Sequence, residues 1–596
     1  MDNQPVTDQY PKIRVRRRRR KSSPSNRRRY LNYVFITLAG LLLLAALGTF
    51  IYFLPGLTTA EWGEDTVLVI GNQKVGEGHA IAEEREIYIK LETLQEKLDP
   101  HLYWDDEEKT AIITTEDRVV HMHSEELESE INLRPVELEF PLREKEDGRL
   151  FLPLLFLADF YQLQVAYAED TDTVIIDEIE ANRETQAGVL TGDAVSLRVE
   201  PSLRRPVLNV LQEGEMLRLR GEVEDGWMQV RTEKGLTGYL PERYIQYEGV
   251  YGEPPVGLMA GEEDEDEEEE VAEKEMPEHP FVMVWEDAYS QTNVDQIGAM
   301  PSLDIISPTW FHVTDAEGNL HNMACPEYVE WAHERDYLVW GLVTNSFDRE
   351  LTADVLSSSS RRRQVIDQLL IYARLYDLDG INLDFENFHA DYRDEYTQFA
   401  RELAPLCREE GLVLSVDVTM ITGNVYYSRN YDREGLAEAV DYVMLMAYDE
   451  HWAASPVAGS VASLPWVERG LQEVLEKVPP EQLVLGVPFY ARKWTIEKDD
   501  DGEEEVSSRS FSMGRIQDKI RNRDYKVEWD ESAGQSKAVY EYEDQDKTYK
   551  IWVEDERSMQ QRIELVNRYN LAGIAGWRRG LEEPETWELI QEVLED

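Results

Sequence analysis

The chain has 596 residues and a formal net charge of −59, which excludes a protein that binds nucleic acid or an anionic surface through its overall charge. Length allows three or four domains, and 42% hydrophobic residues with 14 Trp suffice for packed cores. The only two cysteines, Cys325 and Cys407, exclude a disulfide framework, and no Cys-x-x-Cys pair suggests zinc.

The charge is unevenly divided. Residues 1–30, with "KIRVRRRRRK" and "NRRRY", hold 11 basic and two acidic residues, a net of +9; the remainder has 50 basic and 118 acidic residues, a net of −68. No charge occurs from Tyr30 to Ala60. At 1.5 Å per residue, the run at 31–57 crosses the roughly 30 Å hydrocarbon core of a bilayer. Basic flanks stay inside, so the sequence predicts a cytoplasmic tail at 1–30, one transmembrane helix at 31–57 in the cytoplasmic membrane, and everything beyond about residue 60 outside. A cleaved signal peptide is the rival; its apolar part is shorter and ends at small residues. Both cysteines fall in core-like runs and are read as buried thiols, although an exported protein can pair them.

Residues 64–178 contain a duplication: "YIKLETLQEKLDPHLYWDDEEKTAIITT" (88–115) aligns without a gap on "FLPLLFLADFYQLQVAYAEDTDTVIIDE" (151–178). Each copy reads as strand, short helix, strand, acidic turn and β-branched strand. This α+β segment resembles the copper-amine-oxidase N-terminal-like domain; no residue set in it suggests copper, and the resemblance implies a spacer or wall-contact module. Residues 187–247 read as short strands of a small all-β barrel. "LRVEPS", "LQEGEMLRL" and "DGWMQVRTEKGLTGYL" in that order resemble bacterial Src-homology-3-like domains, which implies wall-peptide binding; Trp227 equally suits packing of the barrel. Residues 252–280, with "GEEDEDEEEEVAEKEMPEHP", repel themselves and read as an acidic linker.

From 281 to 596, apolar strand candidates alternate with helical patterns: "FVMVWE", "LDIISPTWFHV", "YLVWGLVTN", "GINLDFE", "LVLSVDVTM", "YVMLMAYD", "LVLGVPFYARKW" and "GIAGW". Eight such units predict a TIM (β/α)8 barrel. The stretch of about 495–560, with "EKDDDGEEE" and a hairpin pattern, reads as an inserted subdomain.

The fourth strand, "DGINLDFENF" (379–388), carries Ile381, Leu383 and Phe385 on one face and Asn382, Asp384 and Glu386 on the other. Active sites of such barrels lie at the strands' C-terminal ends. Carboxylates two residues apart, roughly 6.6 Å along a strand, can meet and share a proton, which raises one pKa and keeps an acid protonated near neutrality. Glu386, nearest the mouth, is the expected acid. A metal pair is the alternative, but no histidine cluster adjoins it in sequence.

"DGINLDFE" resembles the D-G-x-D-x-D-x-E strand of family 18 glycoside hydrolases, the chitinase-like enzymes, with Asn382 in place of the middle Asp. "MLMAYD" (444–449), "GVPFYARKW" (486–494) and "GIAGW" (573–577) resemble the family's sixth, seventh and eighth strands. "NLDFEN" and "YDEHW…AGSVASLPWVE" are most similar to the branch with spore-cortex peptidoglycan hydrolases. The resemblance implies substrate-assisted retaining cleavage. By that resemblance, Glu386 is expected to protonate the glycosidic oxygen, the substrate's N-acetyl oxygen to attack, Asp384 to orient the acetamide, and Tyr448 to hydrogen-bond it. Asn382 and Asp379 support; Met446, Asp449, Tyr490, Arg492 and Trp577 are candidate substrate contacts. Expected partners are peptidoglycan or another N-acetylglucosamine polymer, with no nucleic acid, cofactor or metal. A catalytically silent wall-binding protein and a chitinase are the alternatives, the first because an amide at 382 cannot titrate.

Overall fold

The computed structural model describes residues 25–83, 85–179, 185–250, 280–288, 294–498, 504–542 and 547–595. The basic run to residue 24, the acidic linker up to residue 279 and the centre of the acidic loop at 499–503 lie outside them. Helix α1 (Ser25–Phe53) opens the described chain. The apolar stretch Tyr30–Leu57 is 28 residues long and exposed along its length except at Gly56, and Thr49 turns its hydroxyl back to the Ala45 carbonyl at 2.8 Å, a bond within the helix itself.

The chain divides into two compact units. The first comprises residues up to 87 together with 157–260. Strands Leu163–Ala168, Thr173–Glu178, Val67–Ile70 and Gln73–Glu77 form one sheet of it. Seven strands between Gln186 and Val250 form another, closed over a core that includes Leu197, Leu219, Val230 and Leu240. Asp225 and Gly226, with φ of 49° and 78°, make the tight turn that a two-residue hairpin requires before Trp227. Asp177, on the first sheet, is buried between Arg218 and Arg231 of the second, with Arg231 Nη2 2.6 Å from Asp177 Oδ2.

The second unit comprises 88–156 and 261–596. The duplication is visible as a repeated order of elements: Ile87–Lys90, Leu91–Lys97, Tyr103–Asp105 and Thr110–Thr114, then Leu150–Pro153, Leu154–Ala158, Leu163–Ala168 and Thr173–Glu178. Within this unit, Tyr103–Asp105, Thr110–Thr114, Val119–His123, Glu128–Ile131 and Arg134–Glu137 pair in chain order as an antiparallel sheet.

Eight parallel strands make the barrel: β1 (Phe281–Glu286), β2 (Ile305–Val313), β3 (Leu338–Thr344), β4 (Gly380–Asp384), β5 (Val413–Thr419), β6 (Tyr442–Met446), β7 (Leu483–Pro488) and β8 (Gly573–Trp577). Each pairs with the next, β7 with β8 across the insert between them, and β1 closes the ring on β8. Phe281, Met283, Trp285, Trp340, Tyr442 and Met444 fill the interior, so the barrel is a packed core with no bore. Gly380 is required where β4 begins: a Cβ there would lie 2.7 Å from both the Trp340 ring and the Val413 carbonyl oxygen. Helices α2 (Ser359–Tyr376) and α3 (Arg393–Glu409) flank β4 on the outside.

Two expectations need correction. The run 483–494 reads as one strand in sequence, but β7 ends at Pro488. Phe489 gives the last amide to β8, at the Trp577 carbonyl, 2.8 Å. Tyr490–Lys498 then opens a five-stranded antiparallel sheet of its own with Glu504–Ser512, Lys526–Asp530, Gln535–Tyr542 and Lys547–Val553. The inserted subdomain therefore starts about five residues before its expected boundary. Both thiols are unpaired; Cys407 is buried in α3, but Cys325 is only partly buried, because it stands at the exposed start of helix Pro326–His333, where its Sγ lies 3.2 Å from Glu327 Oε2.

Candidate active site

The outward residues of β4 are all apolar and fully covered: Ile381, Leu383 and Phe385 are at most 1% exposed. Phe385 stacks on Tyr396 and Phe399 of α3. That packing fixes the strand's rotation and commits Asn382 and Asp384 to the interior. The strand ends at Asp384, and Glu386 stands two residues beyond it at the mouth, half-buried. Its backbone is held on both sides by one amide. Asn345, just past β3, accepts from the Glu386 N–H at 3.1 Å and donates to the Glu386 carbonyl at 2.6 Å. Asn387 follows with φ 57°, a left-handed turn that asparagine tolerates, and its Oδ1 accepts from Arg349.

The carboxyl groups crowd one another without a cation among the causes that shift them. Burial, then the charges of Asp384 and Asp449, raise the Glu386 pKa well above the usual carboxylate range. Burial and the charge of Asp417 on β5 raise Asp384 in the same way. Asp384 Oδ1 is buried and takes no hydrogen bond within the protein. Tyr448, two residues past β6, has its pKa pushed up by burial and by Asp417 and Tyr490, so its hydroxyl remains a donor. Its ring stacks on Trp577 at the end of β8 (6.5 Å between centroids, 25° between planes) and meets Trp285 edge-on.

Asp449 Oδ1 accepts from the Tyr490 hydroxyl and from Arg492 Nη2 at 2.8 Å, which brings the first strand of the insert onto the β6 loop. Met446 is buried at the end of β6. Asp379 alone among the candidates stands elsewhere. It precedes β4, and its Oδ2 accepts from the Val339 N–H at 2.7 Å and lies 2.8 Å from His333 Nε2, at the end of the barrel opposite the mouth. Exposed rings occupy three loops that follow strands β3, β5 and β6: Phe347 (47% exposed), Tyr427 (43%) and Trp452 (53%).

Residues 349–582 match the family model for glycosyl hydrolases family 18. Those residues, which hold β4 to β8, are a family 18 glycosyl hydrolase domain. Residues 69–176 match the copper amine oxidase N-terminal domain and 193–246 the bacterial SH3 domain. A Bacillus subtilis (strain 168) protein provisionally named a sporulation-specific glycosylase is 29% identical over 242 residues, covering 40% of this chain and 56% of the relative. The cortical fragment-lytic enzyme of the same organism is 27% identical over 261 residues, 43% of this chain and 59% of the relative. The chain thus spans a little over half the length of each. A chitinase structure from Chromobacterium violaceum covers 53% of this chain and 99% of its own at 22% identity, with a TM-score of 0.47.

Within the family 18 domain, the amide at 382 is fully used. Asn382 Oδ1 accepts from Trp285 Nε1 (3.0 Å) and Ser307 Oγ (3.2 Å), and Nδ2 donates to Ser415 Oγ (3.0 Å) and Asp417 Oδ1 (2.9 Å). Trp285 Nε1 can only donate, so the amide orientation is fixed. Sequence reasoning missed Asn345 and Asp417. Nothing in sequence singles out Asn345, whose role is a backbone clamp. Asp417 did leave a signal: Ser415, Asp417 and Thr419 alternate with Leu414, Val416 and Val418, the same polar stripe that marks the fourth strand.

Proposed function

We propose that the chain is a membrane-anchored extracellular hydrolase that cleaves β-1,4 bonds next to N-acetylglucosamine in peptidoglycan, with retention and with the substrate's acetamide as nucleophile. The observation that carries this reading is the meeting of Glu386, Asp384 and Tyr448 at one end of the barrel. Glu386, held protonated, donates to the glycosidic oxygen. Asp384, with an oxygen free to accept, takes the acetamide N–H, and the Tyr448 hydroxyl donates to the acetamide oxygen. Attack from within the bound sugar gains from proximity, so a second catalytic carboxylate on the protein is not needed. Glu386, then ionised, activates water. Trp577 offers a floor for the sugar, and Phe347, Tyr427 and Trp452 offer further stacking surfaces.

Peptidoglycan is favoured over chitin because a bacterial SH3 domain accompanies the barrel and one relative is named a cortical fragment-lytic enzyme. Helix α1 is the membrane anchor, with the basic residues before it on the cytoplasmic side. Incubating the protein with peptidoglycan and with chitin oligomers, and identifying the new reducing end by mass spectrometry, tests the reading. Release of N-acetylglucosamine ends from peptidoglycan supports it, and faster cleavage of chitin makes the protein a chitinase. The amide at 382 favours a second reading, a silent wall-binding barrel, for which binding without new reducing ends is the expected result.

The acid's environment also sets a pH dependence. Glu386 must be protonated to work, so activity falls as pH rises through its elevated pKa. Asp449 helps to raise that pKa. Asp449→Asn removes a like charge, lowers the pKa of Glu386, and is expected to move the alkaline limb of the kcat profile to lower pH. An unchanged limb would show that Asp449 does not act on the acid.

A further inference from the structure

We propose that Asp384 and Asp417 form a one-proton carboxyl pair across β4 and β5, in which Asp417 is the positioning residue that holds the proton whenever Asp384 must be ionised to receive an acetamide. The inference rests on the hydrolase reading above for the use of that proton, and on the geometry alone for its existence. Leu383 of β4 and Val416 of β5 are in register. The next residues, Asp384 and Asp417, therefore stand side by side on strands about 4.8 Å apart. Both are buried, at 6% and 2% exposure, and both share the inward face with Asn382 and Ser415.

Asn382 determines how Asp417 is presented. Its carbonyl is pinned by the Trp285 indole and the Ser307 hydroxyl, so its NH2 group faces Asp417 and donates to Oδ1. Asp384 Oδ1 is buried and is left without a hydrogen bond. Burial raises Asp417 and Glu386 at the mouth also raises it, while hydrogen bonds from Asn382 and the Trp285 indole lower it. The phenols of Tyr396, Tyr431 and Tyr448 are themselves raised by burial and also by the charge of one or both carboxyls, and Arg433 acts on Tyr431. No cation is among the groups that shift the pair itself. Two adjacent carboxylates in such surroundings cannot both ionise, so they titrate as a unit that retains one proton. The exchange is balanced within the pair. The O–H bond on Asp384 breaks, an O–H bond on Asp417 forms, and the Asp384 carboxylate accepts the substrate N–H; on product release the proton returns. No external donor or acceptor takes part, and the pair keeps a single negative charge throughout. An amide at 382 cannot hold that proton, whereas a carboxyl one strand away can.

The test uses the full chain in detergent. Infrared pH-difference spectra with ¹³C-labelled aspartate report protonated Asp carboxyls, and kcat and KM across pH report the chemistry. The wild type is expected to keep a protonated Asp band at neutral pH. In Asp417→Asn that band moves to lower pH, kcat falls by about tenfold or more with little change in KM, and the pH profile shifts. The swap Asn382→Asp/Asp417→Asn, which returns a carboxyl to the neighbouring strand position, is expected to recover both the band and most of kcat. A band and profile unchanged in Asp417→Asn overturn the pair. So does a swap that unfolds at the wild-type temperature yet performs no better than Asp417→Asn. A wild type that shows the shared proton but cleaves no acetamido glycan removes the hydrolase reading, and with it the catalytic use of the proton, while the pair itself stands.

Discussion

Glu386→Gln is expected to lower kcat on peptidoglycan by about a thousandfold, the size of a general acid's contribution, while leaving the affinity for glycan nearly unchanged. The two parts of this prediction come from different atoms. The loss comes from the side chain: the carboxyl is held protonated by burial and by Asp384 and Asp449, and an amide of the same shape cannot release a proton to a leaving oxygen. The retained binding comes from the backbone. Asn345 grips the N–H and C=O of residue 386 and touches neither side-chain oxygen, so the substitution leaves the loop in place. Tyr448, Trp577 and the exposed rings of the βα loops are likewise untouched. Kinetics on peptidoglycan together with a pelleting assay on the same material separate the two effects. A variant that cleaves at the wild-type rate would remove Glu386 from the chemistry, and one that neither binds nor cleaves would point to a structural role instead.

The polar stripe of β4 was legible because strand periodicity is rigid. Ile381, Leu383 and Phe385 had to face the helices, so Asn382, Asp384 and whatever followed in step had to face inward. The same rule applied to the fifth strand identifies Ser415 and Asp417. Register between strands was not legible. Only the pairing of Leu383 with Val416 puts Asp417 beside Asp384, and this register arises from the closure of the whole barrel. Asn345 was beyond reach for a different reason: it acts on main-chain atoms, which carry no sequence. The seventh strand misled because apolar and aromatic residues continue through Pro488 into Tyr490–Trp494, and composition does not reveal that the chain changes sheets there.

Arg362→Met is expected to destabilise the second unit by roughly 3–5 kcal/mol, because it leaves a buried carboxylate without its partner. Arg362 on α2 and Glu402 on α3 are 0% and 1% exposed, with Arg362 Nη2 2.7 Å from Glu402 Oε1. Burial alone would lower the guanidinium pKa, but the charge and hydrogen bonds of Glu402 outweigh it and the net shift is upward. The remaining donors are also placed: Nη1 reaches the Leu356 carbonyl at 2.7 Å, and the cation lies 4.9 Å from the centre of the Tyr103 ring. That ring belongs to the antiparallel sheet Tyr103–Glu137, which also caps α2 through Asp105 Oδ2 and the Ser359 N–H at 2.8 Å. Arg362 therefore ties α2, α3 and this sheet together, and α2 is the helix that leads directly into β4. Methionine fills most of the volume, so the loss measures electrostatics more than packing. Adding Glu402→Leu removes the stranded charge and should return most of the stability, since a buried ion pair is often no better than apolar residues of similar size. Denaturant unfolding of the wild type and the two variants decides the matter. If Arg362→Met unfolds within about 1 kcal/mol of the wild type, the range of an exposed pair, water reaches Glu402 and the pair is not the link between the sheet and the barrel.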